Sequence, residues 1–387
     1  MPSTEWPAEP VVLYVYPDSE FGLLRKLGFQ QGATGSSVNR APHVEYFAAS
    51  LSRLKSGDIS EVKDELVRRL EGRSVAAVVA PSVTEATVPV VRLVREAARE
   101  HDIPIILESS IAVGDFRSAG TGSCYRLSSG VDARGAEIGH VMASLARRNR
   151  NVGVIAENDG TYGGKMLAYA RATAPAIESC PVLKYAPGEL GSRAAESWPS
   201  GPPHDGRARV MSALRDPNAV IFFFGIGQDL KALIDFAFRE RSAVAANAKL
   251  VGVMNAYMLA QVFEDEVNPA RTDLIFDVTD FDFISPFNPP AAAVDFATAF
   301  AGSRPLTPAL RDQAYSYDEA AMLAGAIVAA DGARTYEDGL ARMNRFLAHY
   351  SARGVTGSIV LDRGGRQGES PAPLGQNIGS TILRLAA

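Results

Sequence analysis

The chain has 387 residues, 47% of them hydrophobic and 21% charged, and its 39 basic and 44 acidic side chains leave a net charge of -5. That length suits two to three domains or lobes with cores of their own, and the ordinary apolar fraction excludes disordered and fibrous architectures. Slight acidity with interspersed charge excludes a nucleic-acid groove, and the longest uncharged apolar run, Ala320 to Ala330, is far short of the ~20 residues that a membrane-spanning helix needs.

Residues 1–10, MPSTEWPAEP, are polar and Pro-rich and are expected to form a flexible tail. They lack the basic start and apolar run of a secretory signal, so either the protein is cytoplasmic or a signal or other segment lies upstream of this chain. Strands are expected at 11–17 and 43–50, a helix over 59–70 from its apolar spacing, and a strand at Val75 to Ala80. The helix VPVVRLVREAARE then leads to a strand ending at Leu107, which is the βαβα rhythm of a parallel sheet covered on both faces. After a helix near 132–147 the rhythm resumes with strands at 152–156, 182–185, 219–224, 250–253 and 274–278. Helices are expected between them near 162–173, 228–239 and 257–263. Beyond Pro286 the pattern changes to helices near 292–301, 317–330 and 336–350. The chain closes with GVTGSIVLDRGGRQ and IGSTILRLA, read as two paired strands joined by a Gly-rich loop. No internal sequence repeat is visible.

Five segments stand out in the sequence: the run from Gly354 through Thr356, Gly357 and Ile359 to Asp362, Gly365 and Arg366; VVAPSVTEATVPV with IPIILESS; FRSAGTGSCYRLSSGVDARGAEIG; IAENDGTYGGKM; and SYDEAAMLAGAI. Together they resemble motifs of type I periplasmic-binding-protein domains, the family that includes the leucine/isoleucine/valine-binding protein and the ligand-binding domains of natriuretic-peptide and glutamate receptors. The first resembles that family's ending. VVAPSVTEATVPV resembles its ligand-holding strand, turn and helix, and IPIILESS the next strand and turn. FRSAGTGSCYRLSSGVDARGAEIG resembles the segment entering the first hinge, IAENDGTYGGKM a strand and turn of the second lobe, and SYDEAAMLAGAI a returning helix. The resemblance covers most of the chain from Val75 onward, whereas the stretch between the first strand and His43 is odd for the family.

The resemblance implies an α/β fold of two doubly wound parallel-sheet lobes joined by three crossovers and closing on a small molecule. The expected division is 11–128 plus 288–350 for the first lobe and 129–287 plus 351–387 for the second. The implied function is an extracytoplasmic solute-binding protein that captures a polar, amino-acid-like, amide or carboxylate ligand by hinge closure and serves an ABC-transporter permease. The alternative is a ligand-sensing domain of a receptor or regulator, with cytoplasmic placement left open. A monomer or weak dimer is expected, with no cofactor, no nucleic-acid partner and no membrane span.

Open parallel sheets bind ligands beyond the carboxyl ends of their strands, and the candidate residues follow that rule. Ser82 and Thr84 follow the third strand at a helix start, where the dipole favours a carboxylate. Their spacing alone favours plain capping of a helix beginning near Thr87, and the resemblance favours ligand contact. Ser109 and Ser110 are weighed the same way. Tyr162 can project its ring over the cleft while Gly163 lets the backbone pass closely, the alternative being a buried structural tyrosine. Gly227 and Gln228 stand in GIGQD, which lacks the third glycine of a dinucleotide loop and reads as a tight turn exposing backbone N–H groups, with a purely structural turn close behind.

Asn255, followed by Tyr257, occupies the position where amino-acid-binding relatives often place an acid, so a simple zwitterionic ligand is not expected. Glu20 or Glu108 could supply the charge from the first lobe, although a solvated surface is the ordinary expectation for both. Asp277, Asp280 and Asp282 alternate with aromatics and read as hinge surface. The five scattered histidines and two cysteines form no metal motif. No G-x-S-x-G elbow is present, and Gly160 to Lys165 misses the phosphate-loop spacing, so no enzyme is expected.

Overall fold

A computed structural model describes residues 5–35, 42–72, 74–98, 101–108, 123–127, 131–186, 190, 212–225, 229–230, 233, 245, 248–253, 275–277, 296, 311–355 and 357–361. The chain divides into two compact units, Met1–Gly130 with Phe281–Pro371 and Val131–Asp280 with Ala372–Ala387.

In the first unit, β1 (Val11–Asp18), β2 (His43–Ser50), β3 (Val75–Ala80), β4 (Ile105–Leu107) and β5 (Cys124–Tyr125) form a parallel sheet in the order β2-β1-β3-β4-β5. β3 and β4 are buried along their whole length, and β1 everywhere but its ends, as expected of strands covered on both faces. Alternation sorts the side chains of β1: Tyr14 and Tyr16 face one core with Val79 and Ile106, and Leu13 and Val15 face the other with Val78 and Ile105. The second core is closed by α2 (Leu51–Lys55), α3 (Ser60–Leu70) and α4 (Thr84–Ala98), whose buried faces include Leu54, Leu66 and Val90.

The first core is closed by α1 (Glu20–Gly35) and by α7 (Arg311–Ala329) and α8 (Tyr336–Leu347) from the far end of the chain. No clear helix is legible over 20–35 in the sequence, because glycines blur its apolar face. Those glycines are the reason it packs as it does. A β-carbon on Gly28 would stand 2.3 Å from the Gln313 carbonyl oxygen, and one on Gly32 2.3 Å from that of Tyr317, so the two helices touch backbone to backbone.

The second unit repeats the plan. β6 (Asn151–Glu157), β7 (Val182–Tyr185), β8 (Ala219–Phe224), β9 (Lys249–Val253) and β10 (Ile275–Asp277) form a parallel sheet in the order β10-β9-β8-β6-β7. Read from the β7 edge, this is the 2-1-3-4-5 order of the first sheet. α5 (Val131–Arg147) and α6 (Tyr162–Thr173) meet closely at Gly135 and Gly139, whose β-carbons would stand 2.5 and 2.4 Å from the Met166 and Ala170 carbonyl oxygens. Phe222, Phe223 and Phe224 are wholly buried, each stabilising the sheet by roughly 1.5–3 kcal/mol through the area it removes from water.

Three expectations change. The closing segment forms an antiparallel hairpin of β11 (Ser351–Gly354) with β12 (Gly357–Val360), so the described partner of β12 precedes it; IGSTILRLA lies outside the described residues. Val355, Ile359 and Leu361 are buried in the core of the first unit, and the Asp318 carboxylate accepts the Val355 N–H at 2.8 Å. The hairpin therefore belongs with the first lobe, where the sequence had assigned it to the second. Nor is the whole of 1–10 a loose tail: Trp6 stacks on Tyr336 at 6.1 Å and covers Gly339, because that glycine leaves room for the indole. The expected helices at 257–263 and most of 228–239 and 292–301 lie outside the described residues.

Candidate ligand-binding rims

In an open parallel sheet the strand order reverses at one point, where the connections leaving neighbouring strands diverge to opposite faces and open a crevice. The 2-1-3-4-5 order puts that point between β1 and β3 in the first unit and between β6 and β8 in the second. Each unit thus has its own rim at the carboxyl ends of those strands.

On the first rim, β3 ends at Ala80 and α4 begins at Thr84, three residues earlier than the spacing suggested. The early start follows from Thr87, whose hydroxyl donates to the Pro81 and Val83 carbonyls at 3.1 and 3.0 Å and secures the turn. The N–H groups of Ala86 and Thr87 bond back to the Val83 carbonyl, so those of the helix's first residues point out of its end. The Ser82 hydroxyl is buried and has no hydrogen-bond partner among the described residues. Capping is therefore not what Ser82 does. Thr84 is the first helical residue and is half-buried. Glu20 begins α1 just past the end of β1. Ser109 and Ser110 lie outside the described residues.

Glu108, directly after β4, departs from its expected solvated setting and is 2% exposed. Its Oε1 accepts from the Tyr14 hydroxyl at 2.5 Å and from the Ser316 hydroxyl at 2.8 Å, and its Oε2 lies 3.7 Å from the Arg25 guanidinium. Arg25 also donates to the Glu108 carbonyl at 3.3 Å. Burial raises the Glu108 carboxyl above the usual carboxylate range, while Arg25 and the hydroxyl donors pull it back. The Tyr14 hydroxyl is pushed well up by burial and by the charge of Glu108. The sequence pointed to Glu108 but missed its neighbours on α7, although Ser316 and Glu319, one turn apart just before the apolar run from Ala320, were the available signal.

On the second rim, Thr161 caps α6, donating to the Asn158 carbonyl at 2.7 Å and accepting from the Gly164 N–H. Tyr162 is the first helical residue and is half-buried. Gly160 has φ 89°, a conformation that favours glycine. The buried Glu157 carboxylate, which the sequence reading missed, accepts the Gly163 N–H at 3.0 Å and ties the helix start to the end of β6. Asp159 takes an ion pair from Lys184 at 2.7 Å, which holds its carboxyl below the usual range. Gly225 leaves room for the Tyr185 hydroxyl, and Tyr185 stacks on Phe223 at 5.7 Å. Gly227, Gln228, Asn255, Tyr257, Asp280 and Asp282 lie outside the described residues.

Among the described residues no group of three or more His, Cys, Asp or Glu is placed to hold a metal ion, and no helix is long and apolar enough to cross a membrane. Cys124 and Cys180 are both free thiols.

No family model matches the sequence, and no curated protein matches it. Solved structures do. An ABC-transporter substrate-binding protein from Desulfitobacterium hafniense in complex with leucine is 14% identical, with a TM-score of 0.64 over 92% of this chain and 94% of its own. A solute-binding protein of an ABC transporter from R. palustris, in complex with benzoate, is 15% identical with a TM-score of 0.64, over 92% of this chain and 90% of its own. A leucine-binding protein from Thermotoga maritima is 15% identical with a TM-score of 0.63, over 92% of both chains. The chain has the type I periplasmic-binding-protein fold that its motifs resemble.

Proposed function

We propose that the protein is a solute-binding protein, the extracytoplasmic substrate-binding component of an ABC transporter, which captures a small carboxylate-bearing or amide-bearing metabolite by hinge closure and does no chemistry on it. The observation that carries this reading is the Ser82 hydroxyl, buried and without a hydrogen-bond partner among the described residues, beside the start of α4 at the strand-order reversal of the first sheet. A buried hydroxyl without a partner costs about 1–3 kcal/mol, and a ligand oxygen would remove that cost. The outward N–H groups of α4 add the partial positive charge that suits a carboxylate. Tyr162, at the corresponding helix start of the second unit, is the proposed aromatic contact, with Thr84, Ser109, Ser110, Gly227, Gln228, Asn255, Tyr257 and Glu20 as further contacts. Leucine and benzoate in two structural neighbours are consistent with a carboxylate ligand.

Glu108 is already committed to Tyr14, Ser316 and Arg25, so we do not assign it to a ligand ammonium. Titration calorimetry with aliphatic amino acids, aromatic acids and their amides tests the reading. Binding of one of them, weakened in Ser82→Ala, is the expected result; no binding across the series, or binding indifferent to Ser82→Ala, contradicts it.

A further inference from the structure

Behind the first rim lies a polar cluster that ligand capture does not explain. Glu319 on α7 is wholly buried, and neither of its carboxyl oxygens has a hydrogen-bond partner among the described residues. The same holds for Glu108 Oε2, which lies 3.7 Å from the Arg25 guanidinium, and Glu319 stands one turn along α7 from Ser316, the helix's donor to Glu108. Three buried carboxyl oxygens without a hydrogen-bond donor among the described residues, on two neighbouring acids, are untenable as a pair of anions. The groups facing them are Arg25 from α1, Tyr14 from β1, and Ser316 and Asp318 from α7 itself. Asp318 is bonded to the hairpin N–H of Val355. Arg25 supplies one positive charge. With Asp318 held separately by that N–H, one ionised glutamate balances Arg25, and two leave the cluster with an uncompensated buried charge.

We propose that Glu108 and Glu319 share one proton, carried on Glu319 and directed at Glu108, and that this proton latches α7 to the carboxyl end of β4. Tyr14 and Ser316 already donate to Glu108 Oε1, which fixes the charge on Glu108 and leaves Glu319 as the neutral acid. The electrostatic surroundings agree: burial, and then the charge of Glu108, push the Glu319 carboxyl well above the usual carboxylate range, against the weaker opposing pull of Arg25. A carboxyl raised in the folded state binds a proton that the unfolded chain has released. Its contribution is complete below the ordinary glutamate range and is lost as pH rises through the raised value. The latch is therefore labile to alkali, not to acid.

Urea denaturation of the full chain from about pH 5 to about pH 9 tests the proposal, through the dependence of stability on protons bound. The unmodified protein should lose stability with rising pH by a slope approaching about one proton per molecule. Glu319→Gln, which keeps a neutral donor toward Glu108, should remove that slope and match or exceed the unmodified protein at the alkaline end. Parallel profiles for the two proteins would overturn the proposal. Infrared titration of the unmodified protein supplies a measurement that needs no variant. The carbonyl band of a protonated carboxylic acid should persist above the ordinary carboxylate range and vanish in alkali, and its absence throughout would equally overturn the proposal.

Discussion

Substituting Gly163 by alanine perturbs the second rim at its tightest point. The added β-carbon would stand 2.2 Å from the Phe224 carbonyl oxygen and 2.6 Å from its carbonyl carbon, both rigid backbone atoms at the end of β8. Ordinary contacts of this kind need about 3.5 Å, so the first turn of α6 must lift from β8 by roughly 1 Å. Overpacking of that kind costs about 1–3 kcal/mol, and the better helix propensity of alanine returns at most about 1 kcal/mol. The same lift strains the 3.0 Å bond from the Gly163 N–H to Glu157 and carries Tyr162 with it. Urea denaturation should show a net loss of about 1–2 kcal/mol, with ligand binding weakened in the protein that remains folded. Gly160→Ala is the control. Nothing lies within 4 Å of its β-carbon, and its cost comes only from φ 89°, about 1–2 kcal/mol of backbone strain. A Gly163→Ala protein as stable as the unmodified one would refute the close-contact argument.

Tyr162→Ala should weaken ligand binding by about 1–3 kcal/mol with little change in melting temperature, read by calorimetry and thermal denaturation; a sharp fall in melting temperature at unchanged affinity would return it to a structural role. Tyr14→Phe removes one of two hydroxyl donors to Glu108 and should cost about 1.5–3 kcal/mol in urea denaturation while raising the Glu108 carboxyl further. Trp6→Ala should destabilise the first unit by about 1–3 kcal/mol through loss of the stack on Tyr336, whereas a truly loose tail would show no effect.

Much of the fold was legible because parallel sheets buried on both faces demand nearly continuous apolar strands. VAAVVA and AVIFFF could hardly be anything else, and the helices between them showed their spacing. What escaped was set by contacts distant in sequence. Helix α1 is built around close approach to α7, so its glycines weakened the very pattern by which helices are recognised. The hairpin 351–361 resembled a second-lobe ending, yet its placement is decided by Asp318 and by a core formed with β1. On the candidate site, turn chemistry located Ser82 and Tyr162 correctly relative to strand ends. It could not show that the Ser82 hydroxyl lacks a partner among the described residues or that Glu108 is already engaged, because Tyr14, Arg25 and Ser316 come from three other segments of the chain.

The most direct measurement of the central claim is titration calorimetry of the unmodified chain against leucine, benzoate and their amides, repeated with Ser82→Ala and Tyr162→Ala. The account predicts saturable one-to-one binding of a carboxylate or amide solute, weakened by a substitution on either rim, and at about 100 times its dissociation constant that ligand should stabilise the fold by about 2.7 kcal/mol. Absence of binding across the series, or binding that neither substitution alters, would contradict it.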